Sequence, residues 1–211
     1  INVDSTNPLF NTYIEMDSLN TKYYNVSKFS LINLTLRDTL FIKSEFKGGE
    51  KNTDNFDLSM FYTINKDNKS VVGFNKSNIF FKENTWTINK KRNKLNKIIF
   101  DRGFNDFDFS DIIINHIDEE IGLSGTIRDS TYKKIDLDFA DVDLKNITPR
   151  IDSLTFDGRV NGKINILQES SVYLPTSNVV INNFKVNDYE LGKKYDLEIM
   201  KEIPQEKDDD D

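Results

Sequence analysis

The sequence has no cysteine and a single histidine, His116. The lack of cysteine excludes disulfide bonds, thiolate metal sites and cysteine nucleophiles. A Ser-His-Asp triad or a histidine-rich zinc site would depend on His116 or on a second chain. His116 stands beside Asp118, Glu119 and Glu120, but a catalytic metal normally takes three protein ligands in fixed geometry. We therefore interpret it as a strand-end histidine on a polar turn and expect no metal site.

A basic surplus and long apolar runs are also missing. The chain has 28 lysines and arginines against 35 acidic residues, a formal net charge of −7. This balance argues against a general nucleic-acid binder and gives no polybasic attraction toward anionic lipid headgroups. No run approaches the roughly 18 apolar residues of a membrane-spanning helix. The chain starts at Ile1 without a signal-like segment, so we expect an excised piece or a processed product with any anchor elsewhere.

The main pattern in the sequence is an alternation of apolar and other residues with a period of two. Alanine is scarce, and Ile, Phe, Thr and Tyr favour strands. In four segments apolar side chains alternate with residues that are polar or small except for Phe61, which gives each strand one apolar and one solvent-facing side. The alternating apolar residues, called here the predicted groove residues, are Phe56, Leu58, Met60, Tyr62, Ile121, Leu123, Ile127, Ile135, Leu137, Phe139, Leu154, Phe156, Val160, Ile164 and Ile166.

Shorter segments with turn-like spacers extend the pattern. We predict strands at 13–19, 24–36, 40–46, 71–75, 77–81, 85–89, 97–100, 111–116, 179–187 and 195–200. Thr148 followed by Pro149 predicts one short helix over about 148–154. No linker rich in Gly, Ser or Pro is present, so we expect one all-β domain over 1–203. The acidic residues 204–211 are expected to be a disordered tail or not native to the protein.

Several residues suggest sharper chemistry. A calcium site is suggested by Asp136, Asp138, Asp141 and Asp143. No EF-hand glycine or terminal glutamate accompanies them, however. Asp136 and Asp138 are better explained as residues on the solvent-facing side of a strand. Trp86 could stack on a sugar, although it shares a strand face with Ile88 and a core role is favoured. Carboxylates that could include a glycosidase pair are Asp101, Asp106, Asp108 and Asp111.

Two glycines mark the longest alternating segment. Gly158 and Gly162 lack the G-x-x-x-x-G-K-[ST] context of a phosphate loop. Inside a strand they more often mark a bend or a close backbone approach. We expect no cofactor and a binding function, not an enzymatic one.

A fixed order of short motifs extends from about residue 70 to about residue 200. Gly158, Val160 and Gly162 form a "Gly, variable, apolar, variable, Gly" phrase, which is followed by a strand, Pro175 and another strand. The full order is 77–81, 85–88, 112–114, 121–127, 135–139, 154–164, 174–175 and 179–192. It resembles the C-terminal region of the TamB proteins, members of the AsmA-like group of bridge-like lipid transporters, and most closely the versions in Bacteroidota. Residues 1–70 share with that region only a sequence pattern typical of strands.

The resemblance implies a fold called a β-taco. This is a strongly curved, mainly antiparallel, elongated sheet with an apolar concave face and a polar convex face. It also implies a periplasmic location, an inner-membrane anchor elsewhere in the full chain and an Omp85-type outer-membrane partner. The implied role is phospholipid passage between membranes, or support of outer-membrane protein assembly.

The residues themselves suggest a compatible mechanism. A sheet with one apolar face must cover it, and this sequence has too few helices to do so. The sheet must therefore curl on itself, pack as a sandwich, or hold a ligand such as an acyl chain. The predicted groove residues are candidates for the lining, and each could equally belong to a sealed core. The alternatives are a sandwich-type adhesin or carbohydrate-binding domain and, less favoured, a hydrolase of sandwich or propeller type.

Overall fold

The computed structural model describes residues 11–22, 24–49, 51–148, 154–187 and 189–199. Within these ranges the all-β prediction is confirmed: fourteen strands belong to one antiparallel hydrogen-bonded sheet, accompanied by a four-residue helix. The strands are β1 Thr12–Asn20, β2 Asn25–Leu36, β3 Thr39–Gly48, β4 Asp54–Ile64, β5 Ser70–Phe74, β6 Ser77–Phe81, β7 Asn84–Ile88, β8 Lys97–Phe100, β9 Asp106–His116, β10 Glu119–Arg128, β11 Tyr132–Asp143, β12 Phe156–Glu169, β13 Val172–Val186 and β14 Tyr189–Ile199; helix α1 is Leu144–Ile147.

Every predicted strand segment coincides with one of these strands. β6 and β8 have the predicted limits at both ends, whereas β9 and β13 begin earlier than predicted. The expected tail at 204–211 and the last predicted strand residue, Met200, lie outside the described residues.

Most of the sheet is a simple meander in which each strand pairs with the next. The exception lies between the long strands β4 and β9, where two short strand pairs stand end to end. One half of β4 pairs with β5 and the other half with β6; β9 likewise pairs with β8 and then with β7. Along the chain, the hairpin β6–β7 is thus inserted between β5 and β8.

Buried polar side chains satisfy the backbone where the two strand pairs meet. In β4, the N–H of Ser59 donates to the hydroxyl of Ser77 at 2.9 Å, and its carbonyl accepts the N–H of Asn75 at 2.8 Å. In β9, the N–H of Ile113 donates to the side-chain oxygen of Asn96 at 2.7 Å. Ser77 and Asn96 are each 1% exposed. The partner change therefore leaves these backbone groups hydrogen-bonded, as buried groups require.

The helix among the described residues, Leu144–Ile147, lies earlier in the chain than the predicted range. The Asp143 side chain accepts the N–H of Lys145 at 3.1 Å and so caps the start of α1. Thr148, predicted as the N-cap, instead closes the helix: its N–H and its hydroxyl both donate to the carbonyl of Leu144. Residues 149–153 of the predicted range lie outside the described residues.

Glycine-marked irregularities bend the long strands. Gly162 has a φ of +123°, and a Cβ there would lie 2.0 Å from the backbone oxygen of Asn178. This confirms the close backbone approach expected at that position. Register shifts lie nearby, between Phe139 and Val142 and between Asp157 and Arg159. Such bulges bend a strand and increase its twist.

The sheet curls toward one of its faces. Strand β7 and helix α1, which follows β11, are separated in the sheet order by β9 and β10. In a flat sheet, β7 and β11 would stand about 14 Å apart, because neighbouring strands are about 4.8 Å apart. Nevertheless the side-chain amide of Asn84 at the start of β7 donates to that of Asn146 in α1 at 3.0 Å.

Candidate functional site: the apolar face of the sheet

Cross-strand register places the predicted groove residues of neighbouring strands on one face. Leu123 of β10 lies opposite Ile112 of β9 and Leu137 of β11, and Leu137 lies opposite Ile164 of β12. Directly opposed residues share a face, since side chains alternate along each strand. The row is therefore apolar across four adjacent strands.

The same face continues to the first part of the sheet. Tyr62 of β4 lies opposite Leu40 of β3 and Val72 of β5. Val72 in turn lies opposite Ile98 of β8, which lies opposite Phe109 of β9. We call this continuous surface, from β3 to β13, the apolar face. The predicted groove residues within strands β4, β10, β11 and β12 all belong to it.

Most of these side chains are neither sealed nor fully exposed. Thirteen of the fifteen predicted groove residues are half-buried. Val160 is buried, with 5% exposed, and Leu154, which precedes β12, is 41% exposed. A sealed core between two sheets would bury most of its members almost completely. The apolar face therefore remains partly accessible.

One end of the apolar face is closed by a compact core. Trp86, Val142, Val160 and Val179, from β7, β11, β12 and β13, form a buried cluster. Partly buried residues pack against it, including Leu144 and Ile147 of α1. Trp86 is 4% exposed and Ile88 is 5% exposed, as the core interpretation of this strand predicts. The sequence did not indicate that a helix would cover this region.

Aromatic side chains are concentrated at the opposite end of the apolar face. Phe100 stacks on Phe107 with ring centroids 5.6 Å apart, and Phe107 stacks on Phe109 at 6.4 Å. Phe104, in the turn before β9, lies 5.2 Å from Phe100 and is 66% exposed. The sequence analysis predicts no role for these phenylalanines, although Phe107 and Phe109 alternate with Asp106 and Asp108 in the manner of a strand with one apolar face.

The opposite face of the sheet, called here the polar face, carries ion pairs in β9 to β12. In β3, β4, β5 and β8 it also carries the apolar side chains Phe41, Phe61, Val71 and Ile99. Lys163 of β12 contacts its register partner Asp138 of β11 at 2.6 Å. That hydrogen bond raises the pKa of the Lys163 ammonium. Arg128 of β10 pairs diagonally with Asp108 of β9, whose register partner is Thr126. The assignment of Asp138 and Asp136 to a solvated face agrees with this geometry.

The geometry gives no support to a glycosidase carboxylate pair that includes Asp101 or to a metal site at His116. The Asp101 carboxylate accepts the N–H groups of Asp106, Asn105 and Gly103, and these bonds, led by that of Asp106, hold its pKa below the usual range. It therefore organises a turn. His116 directs Nδ1 at the carbonyl of Thr85 at 2.8 Å. Among the described residues no group of three His, Cys, Asp or Glu side chains could hold a metal ion.

Two shallow depressions lie mainly on the polar face, although Ile166 of the apolar face also lines the first and Phe46 and Phe56 also line the second. The first, of about 530 Å³, crosses β11, β12 and β13 near the β12–β13 turn. The second, of about 620 Å³, crosses β3, β4, β6 and β7. The first combines an aromatic ring, two leucines and several uncharged and charged polar groups; its lining includes Tyr132, Lys134, Asp136, Asn165, Leu167, Glu169, Leu174 and Thr176.

Comparison with known proteins identifies no relative. No family model matches the chain, and neither a curated protein nor a solved structure matches it. No helix within the described ranges is long and apolar enough to cross a membrane.

Proposed function

We propose that this chain is a non-enzymatic lipid-binding segment that holds acyl chains against the apolar face. The observation that carries this proposal is the apolar face, which extends over neighbouring strands from β3 to β13 and whose predicted groove residues are mostly half-buried. An apolar surface of this extent on a soluble sheet marks an interaction site. A ligand made of methylene groups suits it because the rows contain few polar groups to satisfy.

The energetics favour a ligand without a fixed headgroup site. Each acyl CH₂ removed from water contributes about 0.8 kcal/mol, whatever its position along the face. The side chains provide adaptable contacts, notably the flexible thioether of Met60 and the aromatic rings of Phe107 and Phe109. The net charge of −7 gives no general attraction for anionic headgroups. Recognition would therefore depend on the acyl chains.

The cellular setting is proposed from the resemblance alone. In that setting the full-length protein resides in the periplasm, is anchored in the inner membrane outside this segment and meets an Omp85-type partner at the outer membrane. The segment would then pass phospholipid toward the outer membrane or support the assembly of outer-membrane proteins.

Native mass spectrometry of the purified chain tests the binding step. We expect adducts with the masses of phospholipids or fatty acids, which disappear after delipidation and return when lipid is added. Protein that stays free of adducts in the presence of added lipid would contradict the proposal. Extraction and lipid mass spectrometry would identify the cargo class.

A second candidate function is supported by the first polar depression. Tyr132 offers a ring for stacking, while Asp136, Asn165 and Thr176 offer hydrogen-bond partners above Leu167. Carbohydrates present the same combination of apolar faces and hydroxyl edges. A glycan array with hits that are lost in a Tyr132→Ala variant would favour this function. An array without hits would leave the lipid proposal as the only candidate.

A further inference from the structure

We infer that α1 is a built-in stop, which occupies part of the apolar face and limits the length of the acyl chain that the face can hold. This inference rests on the proposed lipid-binding function. It concerns Leu144–Ile147 and the side chains that fasten this helix across the curled sheet.

Two side chains of α1 occupy apolar surface that a ligand would otherwise cover. Leu144 and Ile147 pack against the cluster formed by Trp86, Val142 and Val160. These are the side chains of the apolar face at its closed end. A chain of methylene groups that advances along the strands toward this end therefore meets α1 in place of open apolar surface.

A set of polar contacts fastens α1 to the β6–β7 turn and the start of β7. The ammonium of Lys82, in the β6–β7 turn, donates to the carbonyl of Lys145 at 2.8 Å and also to that of Thr148. Asn84 donates to the side chain of Asn146 at 3.0 Å. None of these bonds belongs to the sheet ladder, so they can break without opening a strand pair.

A second contact joins α1 to the sheet beneath it. Asn146 donates to Oε1 of Glu119 at 2.8 Å, and Glu119 also meets Arg159 of β12 at 3.5 Å. Glu119 is 5% exposed, and its Oε2 has no hydrogen-bond partner among the described residues. A buried carboxylate oxygen without a partner costs free energy, which makes this arrangement less secure than a fully bonded one.

The helix has little stability of its own. Four residues form about one turn, and an isolated helix needs roughly 12 to 15 residues to be even marginal in water. The position of α1 thus depends on the contacts of Lys82, Asn84 and Glu119 and on its two apolar side chains. Removing the contacts from the β6–β7 turn should weaken the attachment of α1 enough for an acyl chain to displace Leu144 and Ile147, while the fourteen-stranded sheet stays intact.

A chain-length series makes the inference measurable. Each added methylene should raise affinity about fourfold while it finds apolar surface, because 0.8 kcal/mol corresponds to that factor. In the unaltered chain the gain should cease once the acyl chain covers the apolar surface between the aromatic end of the face and α1. In the Lys82→Met/Asn84→Ala variant it should continue further. Four helical residues span about 6 Å, comparable with roughly four or five methylenes of an extended chain.

Dissociation constants are measured for saturated fatty acids of about 8 to about 18 carbons, by native mass spectrometry. The matched control is Lys90→Met, which removes another lysine that donates to a backbone carbonyl, that of Ile117 at 3.0 Å. The control should keep the plateau length of the unaltered chain. Urea unfolding verifies that the sheet of each variant is intact.

The outcomes separate the two proposals. If no fatty acid binds to any of the proteins, the proposed function fails. If fatty acids bind and the plateau lies at the same length in the Lys82→Met/Asn84→Ala variant as in the unaltered chain, the stop is refuted while lipid binding stands. A longer plateau in that variant alone supports α1 as the stop.

Discussion

The side-chain oxygen of Asn96 accepts the backbone N–H of Ile113 at 2.7 Å in the interior of the sheet. At this point β9 changes its partner from β8 to β7. Asn96 also accepts the N–H of Phe74 with its carbonyl at 2.8 Å. One residue therefore connects β5, β8 and β9 where the ladder is interrupted.

We predict that Asn96→Ala lowers the free energy of unfolding by about 1–3 kcal/mol. The substitution leaves the buried N–H of Ile113 without a partner, and such a group costs about that amount. Urea denaturation followed by circular dichroism measures the change. Asn178→Ala, at an exposed position of β13, should change stability by less than about 0.5 kcal/mol. Equal effects of the two substitutions would show that the junction does not depend on Asn96.

Gly162 provides a second stability prediction. We expect Gly162→Ala to cost at least about 2 kcal/mol, because the backbone has a φ of +123° and the new Cβ would lie 2.0 Å from the oxygen of Asn178. Gly122→Ala is the matched control: its Cβ would meet only Asp138 Cβ, at 3.5 Å. The control should be neutral or stabilising by up to about 1 kcal/mol. Similar urea midpoints for both variants would contradict the prediction.

Local pattern was sufficient to predict the strands but not their pairing at the centre of the sheet. Alternation in segments such as Phe56–Tyr62 predicts both the strand and its apolar face, because side chains of a strand alternate. The insertion of β6–β7 between β5 and β8 depends on the side chains of Ser77 and Asn96, which replace ladder hydrogen bonds. The asparagine-rich turns of this chain look alike in sequence. The burial of Asn96, and the hydrogen bond that its side chain accepts, could therefore not be predicted.

The candidate site was predicted in part for a related reason. The apolar residues of β10, β11 and β12 are adjacent in sequence order and in the sheet, so alternation placed them correctly on one face. The aromatic end, with Phe100 and Phe107, and the cover formed by Leu144 and Ile147 depend on tertiary contacts between distant segments. The helix was predicted from Thr148 and Pro149, whereas Asp143 is the residue that caps it.

Acidic pH should weaken the turn before β9. Hydrogen bonds from Asp106 foremost, and from Asn105 and Gly103, lower the pKa of Asp101 below its ordinary value of 3.8. A carboxylate with a lower pKa in the folded state stabilises the fold above its unfolded pKa, and this contribution is lost as the pH falls through the folded pKa. We therefore expect the stabilisation from Asp101 to diminish below about pH 4.

The measurement compares urea midpoints of the unaltered chain and Asp101→Asn across this pH range. The unaltered chain should be the more stable of the two near neutral pH, and the difference should shrink on acidification. Asp67→Asn, at an exposed position of the β4–β5 turn, serves as the control. A difference that is constant with pH would show that ionised Asp101 does not support the turn.

A charge placed on the apolar face should abolish lipid retention. We predict that Leu137→Glu reduces bound lipid at least about tenfold, because Leu137 lies between Leu123 and Ile164 and an acyl chain there would have to desolvate the carboxylate. The control is Thr126→Glu on the polar face, between its register partners Lys134 and Asp108, which should bind lipid as the unaltered chain does. Native mass spectrometry after lipid addition gives the occupancy, and circular dichroism verifies the fold. Undiminished lipid on Leu137→Glu would mean that acyl chains do not occupy this face.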